Sequence, residues 1–231
     1  MQNIENNITA VQRSLQQAAR DAGRNPEDIL LLAVSKTRTS AQVRLAVDSG
    51  LSSFGENYLQ EAVEKIDQLT DLSISWHFIG PLQSNKTRQV AEHFDWIHTV
   101  DRLKIAQRLS NQRPADRAPL NICLQINIDN EPSKSGLTPE QAIEVASSIA
   151  ALPNIRLRGL MAIPKPSNEP AEQRQPFARL RALREEINGM LDNSQKLDTL
   201  SMGMSGDLEA AISQGSTMVR VGTDIFGKRE Q

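Results

Sequence analysis

Cysteine is nearly absent from this chain: of its 231 residues one is a cysteine, Cys123, set in an apolar run. A single cysteine excludes an intrachain disulfide and points to a reducing compartment, so Cys123 is expected to be a buried, inert thiol. Histidine is scarce too, and His77, His93 and His98 show no metal-ligand spacing with one another or with Cys123. No Ser-His-Asp arrangement can be argued from spacing. There is no excess of one charge, since 26 basic and 28 acidic side chains leave a net charge of −2. That balance gives no reason to expect a nucleic-acid or anionic-membrane partner. No apolar run approaches membrane-spanning length, and the first twenty residues are amphipathic instead of a charged stretch followed by an apolar core. The expectation is a cytoplasmic protein whose partner is small, with neither nucleic acid nor membrane involved. Low-complexity tracts, sequence repeats and a Gly-x-Gly-x-x-Gly turn after the first strand are also missing, and the last counts against a dinucleotide-binding open sheet.

What is there is an alternation. Ile4, Ile8, Val11, Leu15, Ala18 and Ala22 form a helical stripe that Gly23 and Pro26 end. The uninterrupted run from Ile29 to Lys36 then reads as a parallel strand covered on both faces. Further strands are expected at Leu51 to Glu56, Trp76 to Gly80, Trp96 to Val100, Asn121 to Ile128, Ile155 to Ile163, Thr199 to Gly203 and Met218 to Thr223, with helices between them. Pro139 suits the first turn of one helix, whereas 164–176 holds four of the eleven prolines and reads as a surface loop before a helix from Phe177. Eight strands alternating with helices imply an α/β protein, a single (β/α)8 TIM-type barrel spanning 1–231 as one domain, with the amino-terminal helix standing in for the missing last one.

Lys36 ends the first strand, and the carboxyl ends of barrel strands carry the chemistry. A lysine bordering an apolar interior can serve as a nucleophile. Closure would bring strand eight beside strand one. Barrels often bind phosphate with the loops after strands seven and eight, and here those loops hold Ser201-Met202-Gly203-Met204-Ser205-Gly206 and Gly222-Thr223. Ser205 or Asp207 could equally be a plain helix cap, and Asp207 would have to turn its carboxylate away from an anion. On strand eight Met218, Arg220 and Gly222 share one face and Val219 and Val221 the other, so Arg220 should point into the barrel. A buried guanidinium needs an acceptor, either a structural carboxylate or a ligand atom. Lysine, phosphate cradle and inward arginine together describe a site for a phosphorylated carbonyl compound held as a Schiff base, either a sugar phosphate or pyridoxal 5′-phosphate. Position alone does not separate the two.

Longer blocks carry a resemblance. Ala33-Val34-Ser35-Lys36-Thr37, Phe54-Gly55-Glu56-Asn57-Tyr58, Trp76 through Lys86, Ser133-Lys134-Ser135-Gly136, Leu160-Met161-Ala162-Ile163, Ser201 through Ser205 and Val219-Arg220-Val221-Gly222-Thr223 resemble the pyridoxal-phosphate homeostasis protein family over nearly the whole chain. That family is similar in fold to the barrel domain of alanine racemase. The resemblance implies an internal aldimine at Lys36, phosphate held around Ser205 and by Gly222 and Thr223, Arg220 directed at the pyridine nitrogen, and Ser201 and Asn57 as further cofactor contacts. It also implies a non-catalytic role in storing, buffering or delivering pyridoxal 5′-phosphate, with apo enzymes that use the cofactor as recipients and the carrier itself a monomer. The alternative is an amino-acid racemase. Only Phe226 to Gln231 follow strand eight, whereas alanine racemase draws its second acid/base group from a domain after the barrel, and an arginine cannot easily protonate the ring nitrogen. Asn57 could instead cap its helix in a capping box with Gln60. His77 could be a packed core imidazole or a wall of the site. Asn85 and Lys86 could border the mouth, and Lys134, in a loop on the same face, could assist ligand transfer or be solvated.

Overall fold

In the computed structural model, which describes residues 4–131 and 134–228, each apolar run pairs in parallel with its successor. The strands are β1 (Leu30–Val34), β2 (Ser53–Glu56), β3 (Ser75–Phe78), β4 (Trp96–Val100), β5 (Leu120–Gln125), β6 (Ile155–Met161), β7 (Thr199–Ser201) and β8 (Met218–Val221). Around them lie α1 (Ile4–Asp21), α2 (Ser40–Asp48), α3 (Leu59–Gln68), α4 (Thr87–His93), α5 (Leu103–Gln112), α6 (Pro139–Ala150), α7 (Pro170–Met190), α8 (Leu208–Ser213) and α9 (Thr223–Phe226). The sheet closes in the order β1 to β8, giving the expected (β/α)8 barrel. Closure is made by β8 on β1, where Leu32 pairs with Arg220 and Ala33 with Val221.

Parallel strands buried on both faces need apolar neighbours inside and out, and Leu32, Ala33, Val219 and Val221 are accordingly buried. The stripe on α1 packs this helix against α2, α8 and α9, which puts it in the outer ring where a full eighth helix would lie. Asn7 Nδ2 donates to the Ile225 carbonyl at 3.0 Å, tying α1 directly to the short α9. Thr39 and Thr138 start α2 and α6 with capping boxes to Gln42 and Gln141, and Pro139 takes the first helical position as expected. No helix among the described residues is long and apolar enough to cross a membrane.

One loop is shorter than the prolines suggest. α7 begins at Pro170, not near Phe177, and Pro176 lies inside it. Pro170 costs nothing at the first position, because that N–H would have no partner. Pro176 removes one backbone bond, but it heads a buried stripe with Phe177, Leu180, Leu183 and Ile187 that holds the helix against the barrel.

Candidate functional site

β1 ends at Val34, and the next residues turn out over the barrel mouth. Ser35 is fully buried and its N–H donates to the Gly55 carbonyl at 3.0 Å, extending the β1–β2 pairing by one bond. Lys36 follows, half-buried in the turn. Thr37 then takes φ = 63°, a left-handed conformation that a β-branched residue adopts only when its surroundings enforce it. The enforcing group is Glu61 on α3, whose Oε1 accepts from the Thr37 N–H at 2.6 Å.

Glu61 belongs to a larger ionic cluster behind the barrel wall. Lys65 Nζ lies 2.6 Å from Glu61 Oε1, 2.7 Å from Glu56 Oε1 and 2.6 Å from the Ser35 carbonyl. Ser35 Oγ donates to Glu56 Oε1 at 2.6 Å. The peptides on both sides of Lys36 are thereby tied to a single buried ammonium. Burial pushes the Glu56 carboxyl above its ordinary range, although Lys65 and Ser35 pull it back. The sequence reading missed this cluster. A signal for it exists: Lys65 falls between Ala62 and Leu69 in the buried stripe leading out of α3, an expensive position for a lysine without a carboxylate partner.

Inside the barrel Arg220 does point inward and is buried, and the acceptors it meets there are carbonyls and a hydroxyl instead of a carboxylate. Nη1 donates to the Ser201 carbonyl at 2.6 Å and to Ser201 Oγ at 2.8 Å, and Nη2 donates to the Ala162 carbonyl at 3.0 Å. A guanidinium has five N–H donors, so some remain for a group in the mouth. Burial lowers its pKa to about 10, still far above neutrality, while Asp207 and Cys123 act the other way. Ser201 Oγ in turn sits 2.8 Å from His98 Nδ1, and His98 Nε2 sits 3.0 Å from His77 Nδ1. His77 stacks on Trp96 with ring centroids 5.4 Å apart, which makes it a packed core imidazole and not a wall of the site. Burial pushes His77 down to about 3 and His98 well below its ordinary value, His98 also feeling His77 and Arg220.

Beside Arg220 the loop after β7 crosses close to the barrel top. Gly203 has φ = 96°, and a Cβ there would meet Ala211 Cβ at 2.5 Å, so the turn Ser201–Ser205 requires glycine at its centre. Its carbonyl accepts from the Arg220 N–H at 3.0 Å. Asp207 does turn its carboxylate back into the loop, where Oδ1 accepts from the Met204 N–H at 2.6 Å. Its pKa is raised by burial, against that bond and Arg220. Ser205 and Gly206 are left exposed at the rim. Gly222, half-buried against Val34, and Thr223 open α9, whose first N–H groups have no carbonyl one turn back.

Asn57 does not cap α3. The cap position is Tyr58, with no side-chain cap bond, and Gln60 bonds Glu64 instead. Asn57 Oδ1 is buried without a hydrogen-bond partner among the described residues. Asn57 lines a cavity of about 260 Å³ in the mouth together with Gln125, Met161, Ile163 and Lys134. Lys134 Nζ is held there by Glu131 Oε1 at 2.6 Å and the Ile163 carbonyl at 3.2 Å. Asn85 and Lys86 are exposed in the turn ahead of α4. Cys123 is buried, its thiol pushed up to about 12 by burial. No cluster of His, Cys, Asp or Glu suited to a metal ion occurs among the described residues.

Residues 2–230 match the family described as alanine racemase, N-terminal domain. A pyridoxal phosphate homeostasis protein of Pseudomonas aeruginosa is 58% identical over 230 residues, covering 100% of this chain and 97% of that protein. One from Escherichia coli K12 is 52% identical over 233 residues, covering 100% and 98%. The structure of PipY from Synechococcus elongatus PCC7942 with PLP bound superposes with a TM-score of 0.85 at 36% identity, covering 97% of this chain and 100% of that one. Alanine racemase from Corynebacterium glutamicum shares the fold alone, with a TM-score of 0.69 at 20% identity over 98% of this chain and 61% of its own. The chain belongs to the pyridoxal phosphate homeostasis protein family, built on the alanine racemase N-terminal domain.

Proposed function

We propose that this protein binds pyridoxal 5′-phosphate in the barrel mouth and stores, buffers or delivers it within the cell, with apo enzymes that use the cofactor as recipients. The observation that carries the reading is the closure of β8 on β1, which brings the turn carrying Lys36, just past β1, beside the strand that carries Arg220 and leads into Gly222 and Thr223. The donor set fits the ligand. Asn57 brings an orphaned carbonyl oxygen and Arg220 spare donors. Ser205, Gly222 and Thr223 bring hydroxyl and backbone donors suited to a phosphate. The cofactor when bound supplies an aldehyde that an amine can condense with and a conjugated ring that absorbs visible light.

Each residue then has a task. Lys36 is the covalent attachment point, and Thr37 held by Glu61 fixes where its stem leaves the backbone. Arg220, Ser201 and Asn57 would hold the ring by hydrogen bonds. Purified protein should show a visible band that borohydride removes, and peptide mapping should put the reduced label on Lys36. Lys36→Ala should abolish the band while the fold persists. A label mainly on Lys134 or Lys86 would sink the assignment.

The protein is read as a carrier and not an efficient enzyme. Racemisation needs a second acid/base group facing Lys36, and Lys134 is engaged by Glu131 and the Ile163 carbonyl. Arg220, a donor only, does not readily give its proton to the ring nitrogen. Incubation with L- and D-amino acids in deuterated water should give at most slow Cα exchange with retained configuration. Racemisation at about 1 s⁻¹ or faster would overturn the carrier reading.

A further inference from the structure

The polar groups inside the barrel form one continuous file. Arg220 Nη1 is 2.8 Å from Ser201 Oγ, which is 2.8 Å from His98 Nδ1. His98 Nε2 is 3.0 Å from His77 Nδ1, and His77 Nε2 is 3.2 Å from Ser75 Oγ. The four side chains from Arg220 to His77 are buried, whereas Ser75 is half-buried. They come from β8, β7, β4 and β3, so the file crosses the interior from the cofactor side.

Its proton order can be worked out from one end. A guanidinium only donates, so Ser201 Oγ must accept from Arg220. The Ser201 hydroxyl has one proton of its own, and His98 Nδ1 is its one acceptor among the described residues. His98 must then carry its proton on Nε2 and donate to His77 Nδ1, and His77 must carry its own on Nε2 and donate to Ser75 Oγ. Reversing the order would aim two donors at Ser201 Oγ and strand its hydroxyl proton in a dry interior. Both imidazoles being neutral agrees with their depressed pKa values.

We propose that His98, backed by His77, is a positioning residue for Arg220: through Ser201 it holds the guanidinium in one orientation at the ring-nitrogen edge of the bound cofactor. The proposal rests on the reading that the mouth binds pyridoxal 5′-phosphate. Its proton order does not. His98 reaches Arg220 through Ser201, so its effect must appear in how strongly the site values the ring nitrogen.

Two measurements test it. Nitrogen-15 NMR of the unliganded protein at neutral pH should find His77 and His98 as neutral Nε2–H tautomers, and an Nδ1 proton on His98 overturns the file. Binding of pyridoxal 5′-phosphate is then compared with its 1-deaza analogue, in which a C–H replaces the ring nitrogen. Wild type should favour the natural ligand, and His98→Leu should shrink that preference about tenfold, the worth of one charge-assisted hydrogen bond. Ser201→Ala should do the same should the leucine variant not fold, and His98→Gln, able to accept and donate, should recover part of it. If both ligands weaken in proportion, His98 is only structural and the proposal fails. A wild-type protein that binds neither ligand refutes the carrier reading instead, with the tautomer result still deciding the proton order.

Discussion

Two buried polar assemblies flank the same mouth and are built on opposite principles. Inside the barrel, one formal charge on Arg220 is spread over carbonyl oxygens, a hydroxyl and two neutral imidazoles. Behind the wall, between β2 and α3, Lys65 meets two carboxylates directly, those of Glu56 and Glu61. The inner arrangement uses directional bonds and fixes a head group. The outer one uses Coulomb attraction, and its product is a backbone shape: Ser35 and Thr37 pinned on either side of Lys36. A binding lysine must be able to release its ligand, so what needs fixing is the stem's origin and not the amine. An arginine that reads a ring nitrogen needs its head group fixed.

The largest expected difference between the two is in acid. His77 falls to about 3 from 6.5, so the unfolded chain takes up a proton that the folded chain refuses. Its contribution is present above pH 6.5 and lost as pH falls toward 3. For His77 that amounts to about 4–5 kcal/mol. Glu56 runs the other way: its raised pKa means that its contribution is complete below its ordinary 4.5 and diminishes as pH rises through the raised value. Denaturant titrations of wild type and His77→Phe across pH 7 to 4 should show the steeper loss in wild type. Parallel curves would remove the inner file from the explanation of acid sensitivity.

Next in size is the outer cluster. Lys65→Met leaves Glu56 buried and unpaired and should cost about 3–5 kcal/mol in urea unfolding. It should also slow attachment of the cofactor at Lys36, since Thr37 loses the anchored Glu61. A loss under about 1 kcal/mol would put this pair among ordinary surface ion pairs. The smallest effects belong to the rim, where no buried charge is involved. Ser205→Ala and Thr223→Val should each weaken pyridoxal 5′-phosphate by about 1–3 kcal/mol and leave unphosphorylated pyridoxal unchanged. Equal losses for both ligands would mean that these hydroxyls serve the loops alone.

Much of the barrel could be read from the chain. Apolar runs between amphipathic stretches gave every strand to within a few residues, and alternation along Met218–Val221 turned Arg220 inward correctly. Where the sequence misled, a local rule lost to packing. Prolines between 164 and 176 argued for a loop, but the stripe beneath α7 outweighed one missing backbone bond. Asn57 read both as a cofactor contact and as a cap, and only the cap is removed: the helix starts beyond it, and its buried oxygen has no hydrogen-bond partner among the described residues.

Period and punctuation fix which residues form strands, which face each side chain takes and which strand ends carry lysine or glycine, because these depend on neighbours a few positions away. Partners across the interior do not. Ser201 and His98 lie 103 residues apart, and nothing local says that they share a layer. Their meeting is set by barrel closure, which fixes the stagger of β3, β4, β7 and β8 and so decides which inward side chains stand at the same height. The chain determined that an arginine would be buried; only the closed sheet decided that a serine and two carbonyls, with two histidines behind them, would receive it.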